Sequence, residues 1–292
     1  MLRCFRNGAT MAFSFEHSSP SDCDLVLDEP FLWMLKHAGV FGQPHWTYRA
    51  TVGPAADRGS AAENAVIEKL HNNKSLDEAI NICQKDFRER LAYLSAAKMN
   101  DEERREYDDI PHYVRNIYAL LDSEEFASLG LGELVDAQHK HTGSIQTTRG
   151  PMEWWGFTDF KHKAEFGDNE FAYWDLKTTR SSQLSFRKSH QLQLAYYADA
   201  TGCMQHICYV KPVSSTTKSG KKSVAVPFKV FTLTADQRAS GASRRKAGAE
   251  YMMSLYRMGW EDAMRVSMPR DIHGFRWDDG ARKIAKEIWG IT

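Results

Sequence analysis

The sequence predicts an α/β protein: a mixed central sheet flanked by helices and entered through a helical N-terminal region. Three observations predict it. Apolar residues recur at helical spacing through roughly the first 130 positions. From Leu134 the pattern changes to short runs of aromatic, β-branched and apolar residues bounded by turn formers. One helix, residues 189–200, interrupts those runs before further helices close the chain. Residues 1–130 therefore read as the helical region and 131–292 as the sheet-bearing core, together forming one compact domain.

The elements follow in order. Residues 13–40 hold two short helical pieces. Ser21 caps the first, and Pro30 sits in the first turn of the second (31–36), with Trp33 and Leu35 reaching the core. After a loop over 42–53, residues 55–70 form a helix with an apolar strip of Ala61, Ala62, Ala65 and Val66. Ser75 and Glu78 make a capping box that opens a helix to about residue 93. Residues 98–109 are charge-dense and read as a solvated helix end or linker. Pro111 then starts a helix carrying Val114, Ile117, Tyr118 and Leu121. Strands are expected over 134–144, 151–160, 171–178, 204–211 and 224–233, with Pro227 marking an edge or bulge in the last. Gly202 ends the helix between the third and fourth strands, and residues 214–222 form a basic loop. Thr234 and Gln237 cap a long helix to about residue 257, and a short helix spans 281–289.

The 292 residues carry 38 basic and 38 acidic side chains, so the formal net charge is zero. A protein that coats nucleic acid nonspecifically is usually basic, so any DNA binding here must use local patches. No run approaches the length of a transmembrane helix, and residues 1–11 lack the apolar stretch of a secretory signal. Five scattered cysteines without a CxxC pair point to reduced thiols in a cytoplasmic setting. Cys203 and Cys208, with His206 between them, read as core residues rather than metal ligands.

The run from Ala172 to Thr179 carries the chemistry. Side chains alternate along a strand, so Asp175 and Lys177 share a face with Tyr173, while Trp174 and Leu176 line the other. Charge on a strand that is apolar on both faces is costly unless it is paired or bound to metal. Asp159 closes the preceding strand, and a hairpin through the Gly167 turn lets the two aspartates approach. Carboxylates that close repel unless a cation sits between them, and hard oxygen ligands suit Mg²⁺ or Mn²⁺. Lys177 could orient or deprotonate water, or stabilise phosphoryl charge. These are parts of a metal-assisted phosphodiester hydrolysis site; the plain alternative is an ordinary ion pair on a half-exposed strand.

Gly156-Phe-Thr-Asp159, Trp174-Asp-Leu-Lys177 and His190-Gln-Leu-Gln193-Leu-Ala-Tyr-Tyr197, in this order, resemble the PD-(D/E)XK nuclease superfamily and, within it, the RecB-type and phage-recombination exonucleases. The resemblance implies a restriction-endonuclease-like fold. That branch carries a Gln and a Tyr four apart on the helix after the catalytic strand, matching Gln193 and Tyr197. Where it often has Gly-x-x-x-His, this chain has Gly59-Ser-Ala-Ala-Glu63, which implies a carboxylate ligand in place of the imidazole. Ser19-Pro-Ser21 followed by Pro30 and Trp33 is similar to the opening of RecB-type domains.

The resemblance implies that Glu63, Asp159, Asp175 and the Leu176 carbonyl hold Mg²⁺ or Mn²⁺. Lys177 would act on the water nucleophile, Gln193 would orient Lys177, water or phosphate, and Tyr197 would pack or hydrogen-bond beside the strand. Arg58, Arg180, Arg187, Lys188 and His190 flank these motifs as candidate contacts to the DNA backbone, with Lys218, Lys221, Lys222 and the run Arg244-Arg-Lys246 further out. Trp46, Trp154 and Trp155 could stack on an unpaired base, although core packing is the safer reading of the last two. His139 and His141 share a strand face but read as surface residues, and His162 is a candidate neighbour of the metal site. The expected function is a Mg²⁺-dependent DNA exonuclease of recombination, repair or phage DNA processing in a bacterial or phage-infected cell. An endonuclease of the same superfamily and a noncatalytic DNA-binding protein are the alternatives. Its partners would be DNA and, by family analogy, a single-strand annealing or recombination protein.

Overall fold

A computed structural model of the chain describes residues 12–13, 19–40, 43–44, 53–91, 99–165, 169–181, 183–212, 227–267, 272–273, 277 and 279–289. The elements run β1 (Ala12–Phe13), α1 (Pro20–Asp28), α2 (Pro30–His37), β2 (Ala38–Val40), β3 (Gln43–Pro44), α3 (Pro54–Leu70), α4 (Leu76–Arg90), α5 (Asp101–Leu121) and α6 (Glu124–Ala127). They continue with β4 (Leu131–Thr147), β5 (Gly150–Ala164), β6 (Phe171–Thr178), α7 (Lys188–Thr201), β7 (Met204–Val210) and β8 (Phe228–Thr232). Three helices close the chain: α8 (Ala235–Met258), α9 (Trp260–Val266) and α10 (Asp279–Trp289). The basic loop expected over 214–222, and Trp46, lie outside the described residues.

The chain divides into two units. One comprises residues 52–141 and 157–238; the other comprises 1–51, 142–156 and 239–292. The first contains α3 to α7, the strands β6 to β8, β4 as far as residue 141 and β5 from residue 157, within a sheet of order β4-β5-β6-β7-β8. The helices α3 to α5 share one core with this sheet because their apolar stripes bury against it.

In that unit β5 and β6 are antiparallel, β6 and β7 parallel, and β7 and β8 antiparallel, so the sheet is mixed. The parallel pair is bridged by α7, which needs about a dozen residues of crossover. Gly202 ends α7 with φ +74°, a conformation that costs glycine no Cβ clash. One sheet face meets α3 and α5. Trp174, fully buried, packs edge-on to Phe126 at 5.2 Å and against Phe160 at 4.5 Å. Burying a side chain of that size removes 150–250 Å² from water, on the order of 4–6 kcal/mol of transfer free energy. Small residues at Ala61, Ala62 and Ala65, all buried, let α3 approach. The other face carries Ile207 and Tyr209, which pack with Leu194 of α7.

Four local expectations change. Ser19, not Ser21, caps α1, because Asp22 stands three residues after it and closes the capping box. Pro111 does not start a helix but lies inside α5, which begins at an Asn100–Glu103 capping box. The proline forfeits one backbone bond, about 3 kcal/mol in an isolated helix. Ile110, Tyr113, Val114, Ile117 and Leu120, all buried, outweigh it at about 1.5–3 kcal/mol each. The strands β4 and β5 are longer than expected, so Asp159 lies within β5 rather than at its end. Pro227 precedes β8 rather than lying within it, although the edge position expected of that strand holds, and the Pro227 carbonyl accepts from Lys211 N at 2.9 Å.

In the other unit, β1, β2 and β3 form a small antiparallel sheet. Arg244 of α8 donates to Asp24 at 2.6 Å and Asp28 at 2.8 Å on α1. Gly248 allows the close approach, since a Cβ there would stand 2.9 Å from that of Cys23. Phe31 stacks on Trp277 at 5.8 Å, and Glu250 accepts from both the backbone N and the Oγ1 of Thr148 at 2.7 Å.

Candidate active site

The antiparallel register of β5 with β6 pairs Phe160 with Trp174. Asp159 and Asp175 come next, each one residue beyond that last pair. The two are joined through the backbone: Asp159 N donates to Asp175 Oδ1 at 3.2 Å, and Leu176 N donates to Asp159 Oδ2 at 2.9 Å. Lys177 Nζ lies 3.3 Å from Asp159 Oδ2 and 3.4 Å from Asp175 Oδ2. Asp159 is 8% exposed and Asp175 2%, and Asp175 Oδ2 is buried without a hydrogen-bond partner.

Glu63 of α3 joins through a residue that no sequence motif announced. Gln138 Nε2 of β4 donates to Glu63 Oε2 at 3.0 Å and to Asp159 Oδ1 at 3.4 Å. These groups line one cavity of about 280 Å³, together with Ser60, Asn64 and, from α4, Arg90.

The electrostatics follow from crowding charge in a poorly solvated place. Burial, then the charges of Asp159 and Asp175, push Glu63 up to about 8, against the pull of Lys177. Burial and Asp175 push Asp159 up to about 6. Burial disfavours the Lys177 ammonium, but Asp159, Asp175 and Glu63 outweigh it and hold its pKa above the ordinary lysine value. The set therefore has more negative charge than one ammonium neutralises. An oxygen-only donor set of this kind, with a buried carboxylate oxygen that makes no hydrogen bond and has only the Lys177 ion pair, fits a hard divalent cation such as Mg²⁺ or Mn²⁺. Among the described residues, no three His, Cys, Asp or Glu side chains already stand as a complete metal-holding group. Glu63 reaches Asp159 through the Gln138 amide.

No family model and no curated protein matches the chain. Among solved structures, one titled "Crystal structure of SSO0001" is 13% identical, with a TM-score of 0.30 over 68% of this chain and 74% of that one, a likeness that bears on neither fold nor activity.

Gln193 and Tyr197 lie on α7 as expected. The buried Tyr197 hydroxyl accepts from the Gln193 side chain and from the Phe157 backbone N–H, and burial followed by the charge of Asp175 raises its pKa. Around it stand His141, at 5.4 Å between ring centroids, and Tyr173, 4.9 Å from His141. His141 is not on the surface: it is 7% exposed, its Nε2 is 3.0 Å from Thr158 Oγ1, and burial lowers its pKa to about 4. His139 contacts Asp136 Oδ2 at 2.8 Å. His162 is not beside the metal candidates; three residues from Asp159 on the strand, it faces the opposite side, with Nδ1 2.8 Å from the Gly132 carbonyl.

Among the basic candidates, Arg58 and Arg180 are already committed. Arg58, 5% exposed, pairs with Glu106, donates to Thr178 Oγ1 at 3.1 Å and lies 4.6 Å from the Tyr113 ring centroid. Arg180 pairs with Glu106 and with Asp109 at 2.6 Å. Both guanidiniums anchor α5 to the end of β6 instead of presenting charge to a backbone phosphate. Their partner, Glu106, lies in the segment read from sequence as solvated, which is why burial of Arg58 was not expected. His190 turns toward Tyr209, with Nδ1 2.5 Å from its hydroxyl. Burial, then Lys177 and Arg187, lower its pKa to about 4, so it brings no charge at neutral pH. Arg187 and Lys188, at the start of α7, are exposed. Trp154 is buried, whereas Phe157, two residues before Asp159 on the same strand face, is 40% exposed.

Proposed function

We propose that the chain is a Mg²⁺- or Mn²⁺-dependent DNA exonuclease with a restriction-endonuclease-like core, acting in recombination, repair or phage DNA processing. One observation carries this reading: Asp159 and Asp175, on adjacent strands, share the single Lys177 ammonium, and the buried Asp175 Oδ2 makes no hydrogen bond beyond that ion pair. A structural ion pair needs one carboxylate per lysine; a second costs repulsion and desolvation that hydrolytic chemistry would justify. The mixed five-stranded sheet with a helix between its third and fourth strands supports the fold assignment.

Asp159, Asp175 and Glu63 would hold the cation, with the Leu176 carbonyl as a further oxygen donor. A hard divalent cation bound there supplies positive charge to the phosphate oxygens and acidifies water. Lys177, kept as an ammonium by its carboxylates, donates hydrogen bonds and charge to the scissile phosphate. Gln193, bonded to the buried Tyr197, fixes the α7 side of the site. In the overall reaction water adds to phosphorus, the bond to one sugar oxygen breaks, and that oxygen takes the proton. Arg187 and Lys188 would grip the DNA backbone. The free cysteines Cys23, Cys83, Cys203 and Cys208 are consistent with a cytoplasmic setting, and among the described residues no helix is long and apolar enough to cross a membrane. A single-strand annealing or recombination protein remains the proposed protein partner.

The test is digestion of end-labelled linear duplex, linear single strand and covalently closed circle, with Mg²⁺ or with EDTA, by the wild type and Asp175→Asn. Loss of linear DNA alone, requiring both Mg²⁺ and Asp175, is expected. Cutting of the closed circle would make it an endonuclease, and binding without any cleavage would reject the catalytic reading.

A further inference from the structure

Gln138 has a backbone that its neighbours in β4 do not share. Its φ is +53°, in the left-handed region that a residue with a Cβ seldom enters. The burial pattern of β4 changes phase just before it. Gly132 and Leu134 are partly covered with Glu133 and Val135 exposed; then Val135 and Asp136 are both exposed, and from Ala137 onward the odd positions turn inward. A single extra residue in a strand produces that shift, and such bulges re-aim a side chain at a functional site. Here the side chain, on an exposed residue, lines the cavity that Glu63 and Asp159 also line.

The chemistry of a carboxamide suits the position it reaches. Its nitrogen carries two hydrogens, and one nitrogen lies within 3.0 Å of Glu63 Oε2 and 3.4 Å of Asp159 Oδ1. It bridges two carboxylates without a charge of its own. A lysine there would compete with a cation, and an acid would add to the repulsion. Among the described residues, Gln138 is the one hydrogen-bond donor to the Glu63 carboxylate. Without it, a partly exposed glutamate on a helix is free to turn to solvent.

We propose that Gln138 is a positioning residue: the bulge in β4 aims its carboxamide so that Glu63 is held turned toward Asp159, and this set orientation is what makes the carboxylates bind a divalent cation tightly. The proposal rests on the nuclease reading above. Gln138 touches no reacting atom; it acts through Glu63.

The test uses the full chain and Mn²⁺ as the probe. Binding is followed by calorimetry and by the loss of the free-ion paramagnetic signal, in the wild type, Gln138→Gly, Glu63→Ala and the double variant. Glycine is chosen because it accepts the +53° backbone without strain. Gln138→Asn is the second variant, since it tolerates the same backbone and keeps the amide but shortens the reach. Gln138→Gly and Gln138→Asn are each expected to weaken Mn²⁺ binding about tenfold or more, the scale seen when groups that orient ligands are removed. In the Glu63→Ala background Gln138→Gly should cause no further loss, because the residue it acts through is gone. In parallel, the side-chain amide signals of Gln138 in metal-free protein should be protected from exchange, and should lose that protection in Glu63→Ala. Wild-type affinity in Gln138→Gly, or losses that multiply in the double variant, would overturn the positioning role while leaving the nuclease reading intact. Absence of Mn²⁺ binding by the wild type would instead remove the nuclease reading itself, and this role with it.

Discussion

Replacing Glu106 with glutamine perturbs the ion network that ties β6 to the helices beneath it. Glu106 is 2% exposed and meets both Arg58 and Arg180. Glutamine keeps the shape and one acceptor but removes the charge. Arg180, partly exposed, retains Asp109 at 2.6 Å and the Arg105 carbonyl at 3.2 Å, so it loses little. Arg58 is 5% exposed and keeps the Thr178 hydroxyl and the Tyr113 ring, neither of which carries a negative charge. The cost is therefore that of one uncompensated buried guanidinium, about 3–5 kcal/mol. For a chain of this size the midpoint of thermal unfolding should fall by roughly 10 °C. Urea unfolding of Glu106→Gln and of the double variant Glu106→Gln/Arg58→Met measures it. The double variant should recover most of the loss, because it removes the orphaned charge. A loss under about 1 kcal/mol, or a double variant no more stable than the single one, would refute the reasoning.

Other expectations follow from the same geometry. His206 is 3% exposed, and burial alone lowers its pKa from 6.5 to about 4. Its folded pKa lies below its unfolded one, so the unfolded state takes up the proton first and stability falls as the pH drops from 6.5 toward 4. The full loss is about 3 kcal/mol at 1.36 kcal/mol per unit, and urea unfolding of His206→Gln across that window should show a flatter slope than the wild type. Gly202→Ala, at φ +74° in open space, should cost about 1–2 kcal/mol from backbone strain alone, read as a shift in the urea midpoint without a change in slope. Arg187→Gln with Lys188→Gln should weaken DNA binding alike across sequences and lower the salt dependence by about one to two counterions, measured by titrating labelled duplex at several salt concentrations; an unchanged salt slope would remove both residues from the DNA contact.

The approach of Asp159 to Asp175 was legible because antiparallel neighbours in a strand pair and the alternation of side chains along each strand put both residues at one place in the sheet. The boundaries of β6 and α7 were legible for a similar local reason: a compact aromatic run for one, a glycine stop at Gly202 for the other. What escaped was set by tertiary contacts. The course of α5 through Pro111 depends on a buried stripe that begins at Glu106, and an acidic residue in register with Ile110, Tyr113 and Ile117 is the sequence signal of a buried partner. The commitment of Arg58 followed from that same Glu106. Gln138 left no signal at all, because its role comes from a bulge, and a bulge appears in sequence only as a shift in alternation too weak to read in a polar strand.

The central claim is that Asp159, Asp175 and Lys177 form a cation-dependent phosphodiester hydrolysis site. Single-turnover cleavage of a linear duplex in Mg²⁺ by Lys177→Ala, compared with the wild type under saturating enzyme, tests it most directly. The account predicts a fall of about 10²–10⁴ in rate with DNA binding retained and the folded state intact. Cleavage at the wild-type rate by Lys177→Ala, or wild-type cleavage that persists in EDTA, would contradict it.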